Sequence, residues 1–199
     1  MQLPNIRINK KIIIGIIAVA VIAEGIWAYR VLLGNQPAPG VSLPTTPAVK
    51  IIPTASVTLE APKTVMKVGE KILVTINISS PKVTDGTDLI IKYDSSLISV
   101  VPDKSGSPVA VASIYSDYPI NSLDEKLGQI SVSGISSQQG GVKPEGIFGT
   151  ITFKAQKAGQ AKVSLDFTKG STIDSNVIEA KTAQDILGTV KNVELNITP

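Results

Sequence analysis

The chain has 199 residues, 43% hydrophobic and 18% charged, with 16 Gly, 13 Pro and neither Cys nor His. That double absence excludes thiol nucleophiles, Ser-His-Asp and Cys-His arrangements, disulfides, lipid-modified cysteine, and metal sites built on imidazole or thiolate. The net charge of +3 is segregated: up to residue 55 five cations face only Glu24 (net +4), whereas the remainder carries 14 Lys, no Arg and 15 acids (net −1), so the part expected to fold is not basic and nucleic-acid binding is not expected.

Residues 1–11, with Arg7, Lys10 and Lys11, read as a basic cytoplasmic end. Ile12 to Leu33 follows as a 22-residue apolar stretch broken only by Glu24 and Arg30. As a helix it would extend about 33 Å, against a hydrocarbon core of about 30 Å. The positive-inside bias then predicts a transmembrane signal anchor at residues 12–33, a single-pass topology with the amino end cytoplasmic and the rest extracytoplasmic. Glu24, near the middle of the span, would be protonated or face another helix. The alternative is a shorter secretory signal, Ile12 to Ala23, cleaved after Val21-Ile22-Ala23 so that the remainder is secreted. Residues 34–55 carry Pro37, Pro39, Pro44, Pro47 and Pro53 with almost no charge. They predict an extended polyproline-type linker reaching up to about 70 Å.

Residues 56–199 change period. Apolar residues recur at every second position in short runs separated by Gly, Pro, Asp, Asn and Ser, the pattern of half-buried strands. Ile72, Val74, Ile76 and Ile78 share one face. So do Leu89, Ile91 and Tyr93; Ile130 and Val132; Ile147, Ile151 and Phe153; Val163, Leu165 and Phe167; and Val193, Leu195 and Ile197. Weaker strands are expected at Val57 to Leu59, Leu97 to Val101, Val109 to Ile114 and Asn176 to Glu179. Nine or ten short strands predict an all-β domain, two antiparallel sheets packed face to face as a sandwich or jelly roll. Short helical turns are expected where Ser122 precedes Glu125 and Thr182 precedes Asp185 at capping-box spacing, closed by Gly128 and Gly188.

The search for chemistry returns little. No phosphate loop, nucleophile elbow or EF-hand pattern occurs. Ser79-Ser80-Pro81-Lys82 matches S-x-x-K by letter, but Pro81 after a strand enforces a turn where that chemistry needs a helix. Asp85, Asp88, Asp94 and Asp103 flank strands and read as turn acids whose side chains satisfy backbone, with calcium binding or carboxylate catalysis as the lesser readings. No metal or cofactor site is expected. Among the aromatics, Tyr93, Phe153 and Phe167 fall on core faces and Phe148 on either face. Tyr115 and Tyr118 are expected to lie exposed in one loop, where they anchor the loop or, on a carbohydrate-binding reading, stack on sugar rings.

The order of motifs resembles the cohesin family. The likeness rests on Gly69-Glu70-Lys71 leading into a strand, Asp88-Leu89-Ile90-Ile91-Lys92-Tyr93-Asp94-Ser95-Ser96-Leu97, Gly128-Gln129-Ile130-Ser131-Val132, Gly146-Ile147-Phe148-Gly149-Thr150-Ile151-Thr152-Phe153-Lys154, and a closing strand from Val190 to Ile197. The resemblance implies a nine-stranded jelly-roll sandwich, non-catalytic, whose flat sheet face binds a dockerin, with calcium carried by that partner module. It also implies contact residues: Asp88 as an acceptor for dockerin hydroxyls, Tyr118 near a contact position, and Ser131 and Ser133 outward on the same face. The expected function is therefore a membrane-anchored, cell-surface docking module. Its alternatives are a carbohydrate-binding module using Tyr115 and Tyr118, and a self-assembling stalk protein.

Overall fold

The computed structural model describes residues 53–171 and 173–199. The expected membrane span, its Glu24 and nearly all of the linker lie outside the described residues. Within them the chain forms thirteen strands: β1 (Ala55–Glu60), β2 (Val65–Lys67), β3 (Lys71–Ser79), β4 (Thr84–Tyr93), β5 (Ile98–Val101), β6 (Ala110–Val111), β7 (Asp117–Asp124), β8 (Gln129–Ile135), β9 (Glu145–Ala155), β10 (Gly159–Leu165), β11 (Asn176–Glu179), β12 (Leu187–Lys191) and β13 (Val193–Thr198). One sheet runs β12-β1-β3-β9-β5, with β6 also on β9; the other runs β2-β13-β10-β4-β8-β7, with β11 also on β4. The count exceeds nine or ten in part because single positions are shared. β10 pairs with the end of β4 and β11 with its beginning, as β5 and β6 divide β9.

The alternation holds where it is strongest. The apolar sets named for β3, β4, β8 and β13 are all buried, as are Val163 and Leu165 of β10. Each such side chain contributes about 1.5–3 kcal/mol relative to exposure. β9 departs from strict alternation. Ile147, expected inside with Ile151 and Phe153, is 50% exposed, whereas Phe148 is fully buried. The register explains the exchange: Ile76 faces Gly149 and Asn77 faces Ile147, so Phe148 is the extra residue of a β-bulge and the parity inverts across it.

Both expected helical turns prove to be strand reversals. Ser122 lies in β7, and residues 125–128 form the turn into β8, where Asp124 Oδ1 accepts from Leu127 N at 3.0 Å and Gly128 adopts φ +60°. The carboxylate three residues before Leu127 ties the turn locally, and the chain doubles back instead of coiling. At the second site Ala183 takes φ +53° and its N–H bonds Glu179 O at 2.9 Å, one isolated turn closing a reversal from β11. Asp185 does not serve a helix start; its Oδ1 accepts from Val177 N and Leu187 N, both at 3.0 Å. The expected closing strand is also broken. β12 belongs to one sheet and β13 to the other, and Asn192 makes the corner by accepting from Leu165 N at 2.9 Å.

Partly exposed carboxylates tie down the turns. The Lys63 ammonium, then the Lys67 N–H, holds the Glu70 carboxyl below its ordinary value of 4.5; the Thr182 hydroxyl, then Lys82, does the same for Glu179. A carboxyl lowered on folding stabilises the native state above its unfolded pKa, and that contribution disappears as pH falls through the folded pKa. The thermal midpoint is therefore expected to decline as pH is taken below 4.5. In a Glu70→Gln variant the decline should be shallower. Identical pH profiles for the two proteins would remove Glu70 from this account.

Candidate functional site

The outer face of β7, β8 and β4 is a surface of short side chains, and strand register sets their rows. Because directly paired residues point the same way, Ile120, Ser133 and Asp88 form one row across the three strands. Ser122, Ser131 and Ile90 form the next, and Asp124, Gln129 and Lys92 the third. Alternation on β8 requires this, since Ile130 and Val132 point inward to the core. Ser133 Oγ donates a short hydrogen bond to Asp88 Oδ1. Ser133 is only 6% exposed, so it orients the exposed Asp88 through one of its two carboxylate oxygens.

A second polar string runs below it. Gln129 Nε2 donates to Ser131 Oγ at 3.2 Å, and Lys92 Nζ donates to Gln129 Oε1 while lying 3.8 Å from Asp166 Oδ2. Lys92 is thereby drawn away from Asp88, which has no cationic partner among the described residues. Two exposed isoleucines border the polar rows, Ile120 at 48% and Ile135 at 42%. A flat centre of Ser and Asp with apolar residues at its margin can accept hydrogen bonds and bury hydrocarbon without ordering long side chains.

The sequence-predicted residues divide accordingly. Asp88, Ser131 and Ser133 are brought together on this face. Tyr115 corrects an expectation, because it is 3% exposed instead of open to solvent. Its hydroxyl shares hydrogen bonds with Thr87 Oγ1 at 2.6 Å and Thr84 Oγ1 at 2.8 Å, and burial raises its pKa above 10.0. Tyr118 lies on β7 and is half-buried, its ring directed to the core side. The ring meets Phe148 edge-on at 5.4 Å and Tyr115 at 6.4 Å, and its pKa too is raised by burial. The two tyrosines therefore form no exposed platform, for the ring faces are used in packing. Of the four acids expected on turns, Asp94 and Asp103 are so placed, Asp94 Oδ1 accepting from Ser96 N at 3.0 Å and Asp103 Oδ1 from Ser105 N and Ser107 N at 2.8 and 2.9 Å, whereas Asp85 and Asp88 lie within β4.

Ile120, Ser122, Ile90, Gln129 and Lys92 belong to the face and were missed. The signal lay in their spacing, each an even number of residues from a face residue on its own strand or register-paired to one.

A family model for the cohesin domain matches residues 56–192. The chain belongs to the cohesin domain family. Solved cohesins share its fold: a type II cohesin from the cellulosome of Acetivibrio cellulolyticus superposes with a TM-score of 0.58 at 21% identity, covering 72% of this chain and 96% of that one. The cohesin–X-dockerin complex from the same organism gives 0.57 at 16%, covering 72% and 99%. A type I cohesin–dockerin complex from Clostridium thermocellum gives 0.56 at 16%, covering 73% and 99%. No curated protein sequence matches the chain. The cohesin match ends one residue before β13, and its span holds the whole β4–β8–β7 face.

Proposed function

We propose that this cohesin domain is a non-catalytic receptor that docks a dockerin-bearing protein on the β4–β8–β7 face. The observation carrying the reading is the Ser133-oriented Asp88 carboxylate in a flat row of short polar side chains bordered by Ile120 and Ile135. Family membership and the structural likeness to cohesins crystallised with dockerins support it. On the same reading residues 12–33 hold the protein in the membrane, residues 34–55 act as its stalk, and the domain stands outside the cytoplasm. Asp88 accepts hydrogen bonds from partner hydroxyls, Ser133 fixes its rotamer, and Ser131 and Ser122 supply further small donors.

The test is binding of the immobilised chain to a panel of purified, calcium-loaded dockerin modules. One or more should bind, and Asp88→Ala should raise the Kd of each by about 30-fold or more, because a charged acceptor is removed from a desolvated contact. The thermal midpoint should fall by only a few degrees, since Asp88 is exposed and the cost is confined to the buried Ser133 hydroxyl left without its acceptor. Binding by no dockerin, or equal Kd for the variant, would discard the docking face.

A further inference from the structure

The connection between β10 and β11 contains two buried oxygens that nothing among the described residues satisfies. Asp174 and Asn176 are each 8% exposed, and Asp174 Oδ1 and Asn176 Oδ1 have no hydrogen-bond partner. The two residues are in contact, for Asn176 Nδ2 donates to Asp174 O at 3.2 Å. The other carboxylate oxygen of Asp174 accepts from Thr168 N, which closes the loop. Ser175 between them is engaged elsewhere: Ile90 N donates to its Oγ at 3.0 Å, and its Oγ donates back to Ile90 O at 3.2 Å.

The placement of Asn176 is as informative as its orphan atom. It pairs with Asp88 in register, so it belongs to the outer face of the sheet, and yet it is covered. A buried carboxylate with a single backbone donor is costly, and so is a second buried acceptor left without a donor on the residue it touches. A hard cation with oxygen ligands removes both penalties.

From this we infer that the β10–β11 connection holds a divalent cation of the calcium type, with Asp174 Oδ1 and Asn176 Oδ1 as its side-chain ligands and main-chain carbonyls and water completing the shell. Calcium is favoured over magnesium because a site with one carboxylate and a neutral amide tolerates irregular, high coordination, while magnesium demands an octahedron and keeps its water. With a single carboxylate the affinity falls in the range of about 10⁻⁴–10⁻³ M typical of extracellular modules. Binding at this site needs no docked partner, although Asn176 is paired in register with Asp88 of the proposed docking face.

The experiment uses the full-length chain alone, stripped with chelator, with calcium or magnesium added back while thermal unfolding and heats of binding are recorded. At calcium ten times Kd the midpoint should rise by about 3–6 °C, with little response to magnesium. Asp174→Asn keeps an acceptor for Thr168 N and places an NH₂ toward Asn176 Oδ1, so it should fold and lose the calcium response; Asp103→Asn should keep it. Asn176→Asp adds a second carboxylate and should tighten calcium binding about tenfold or more while lowering stability in chelator. Absence of any shift means that a water satisfies the two oxygens, and overturns the assignment. So does an undiminished response in Asp174→Asn, or unchanged affinity in Asn176→Asp.

Discussion

Phe148→Ala is expected to destabilise the domain by about 3–5 kcal/mol. Phe148 has no exposed surface and sits on the bulge where β9 inverts its alternation. Its ring meets Tyr115 at 6.0 Å and 69° and Tyr118 at 5.4 Å and 76°, edge-to-face arrangements that add to its burial. Removing it leaves a void that Tyr115 cannot move to fill, because its hydroxyl is bonded to Thr84 and Thr87 of β4. Against a typical total of about 5–15 kcal/mol, such a loss takes a large share of the stability. Denaturant unfolding should show a lower midpoint with an unchanged slope. A loss below about 1 kcal/mol would mean that the bulge relaxes and the cluster carries little.

Gly134→Ala is the second large effect, about 1–3 kcal/mol from overpacking. Gly134 lies on the inner side of β8, beside Ser133. A methyl group there would stand 2.6 Å from Tyr115 Cδ2 and 3.0 Å from both Tyr115 Cγ and Tyr118 Cε1. The two closest are ring atoms of Tyr115, a side chain held at its far end, so the strand and not the ring must move. Because β8 also carries Ser131 and Ser133, dockerin binding should weaken along with stability. The cause can be isolated with a double-mutant cycle: in a Tyr115→Ala background the added methyl loses its two closest approaches and keeps only the one to Tyr118 Cε1, so its cost should fall sharply. An undiminished cost there would place the strain in the backbone of β8.

The strands that pack on both neighbours were legible because burial on one face writes period-two alternation into Ile72 to Ile78, Leu89 to Tyr93 and Val193 to Ile197. The edge strand β7 was not. Pro119 and the irregular pairing between Asp117 and Ile120 break its alternation, and most of its side chains face solvent, so composition carries no trace of pairing. The burial of Tyr115 was hidden for a different reason. Its hydroxyl partners stand 28 and 31 residues away, and only the fold brings Thr87 and Thr84 beneath it. Glycine was the available clue, for Gly134 in a strand otherwise filled by side chains marks the close approach of a ring. For the docking face, Asp88, Ser131 and Ser133 came from family resemblance and the rest of the rows from register. The orphan oxygens of Asp174 and Asn176 had no sequence signature, because burial alone makes them unusual.

The corner at Asn192 bears on how the molecule is made. One continuous stretch, Leu187 to Thr198, supplies β12 to one sheet and β13 to the other; β12 lies beside β1, and β13 is inserted between β2 and β10. Neither sheet has its full set of neighbours until this stretch has left the ribosome. At about 5–20 residues per second of synthesis, the growing chain spends seconds with its apolar faces uncovered, and pairings between opposite ends of the domain are entropically late in any case. The closing of the sandwich is thus a late step of folding, one that waits for the stretch from Leu187 to Thr198 to supply a strand to each sheet.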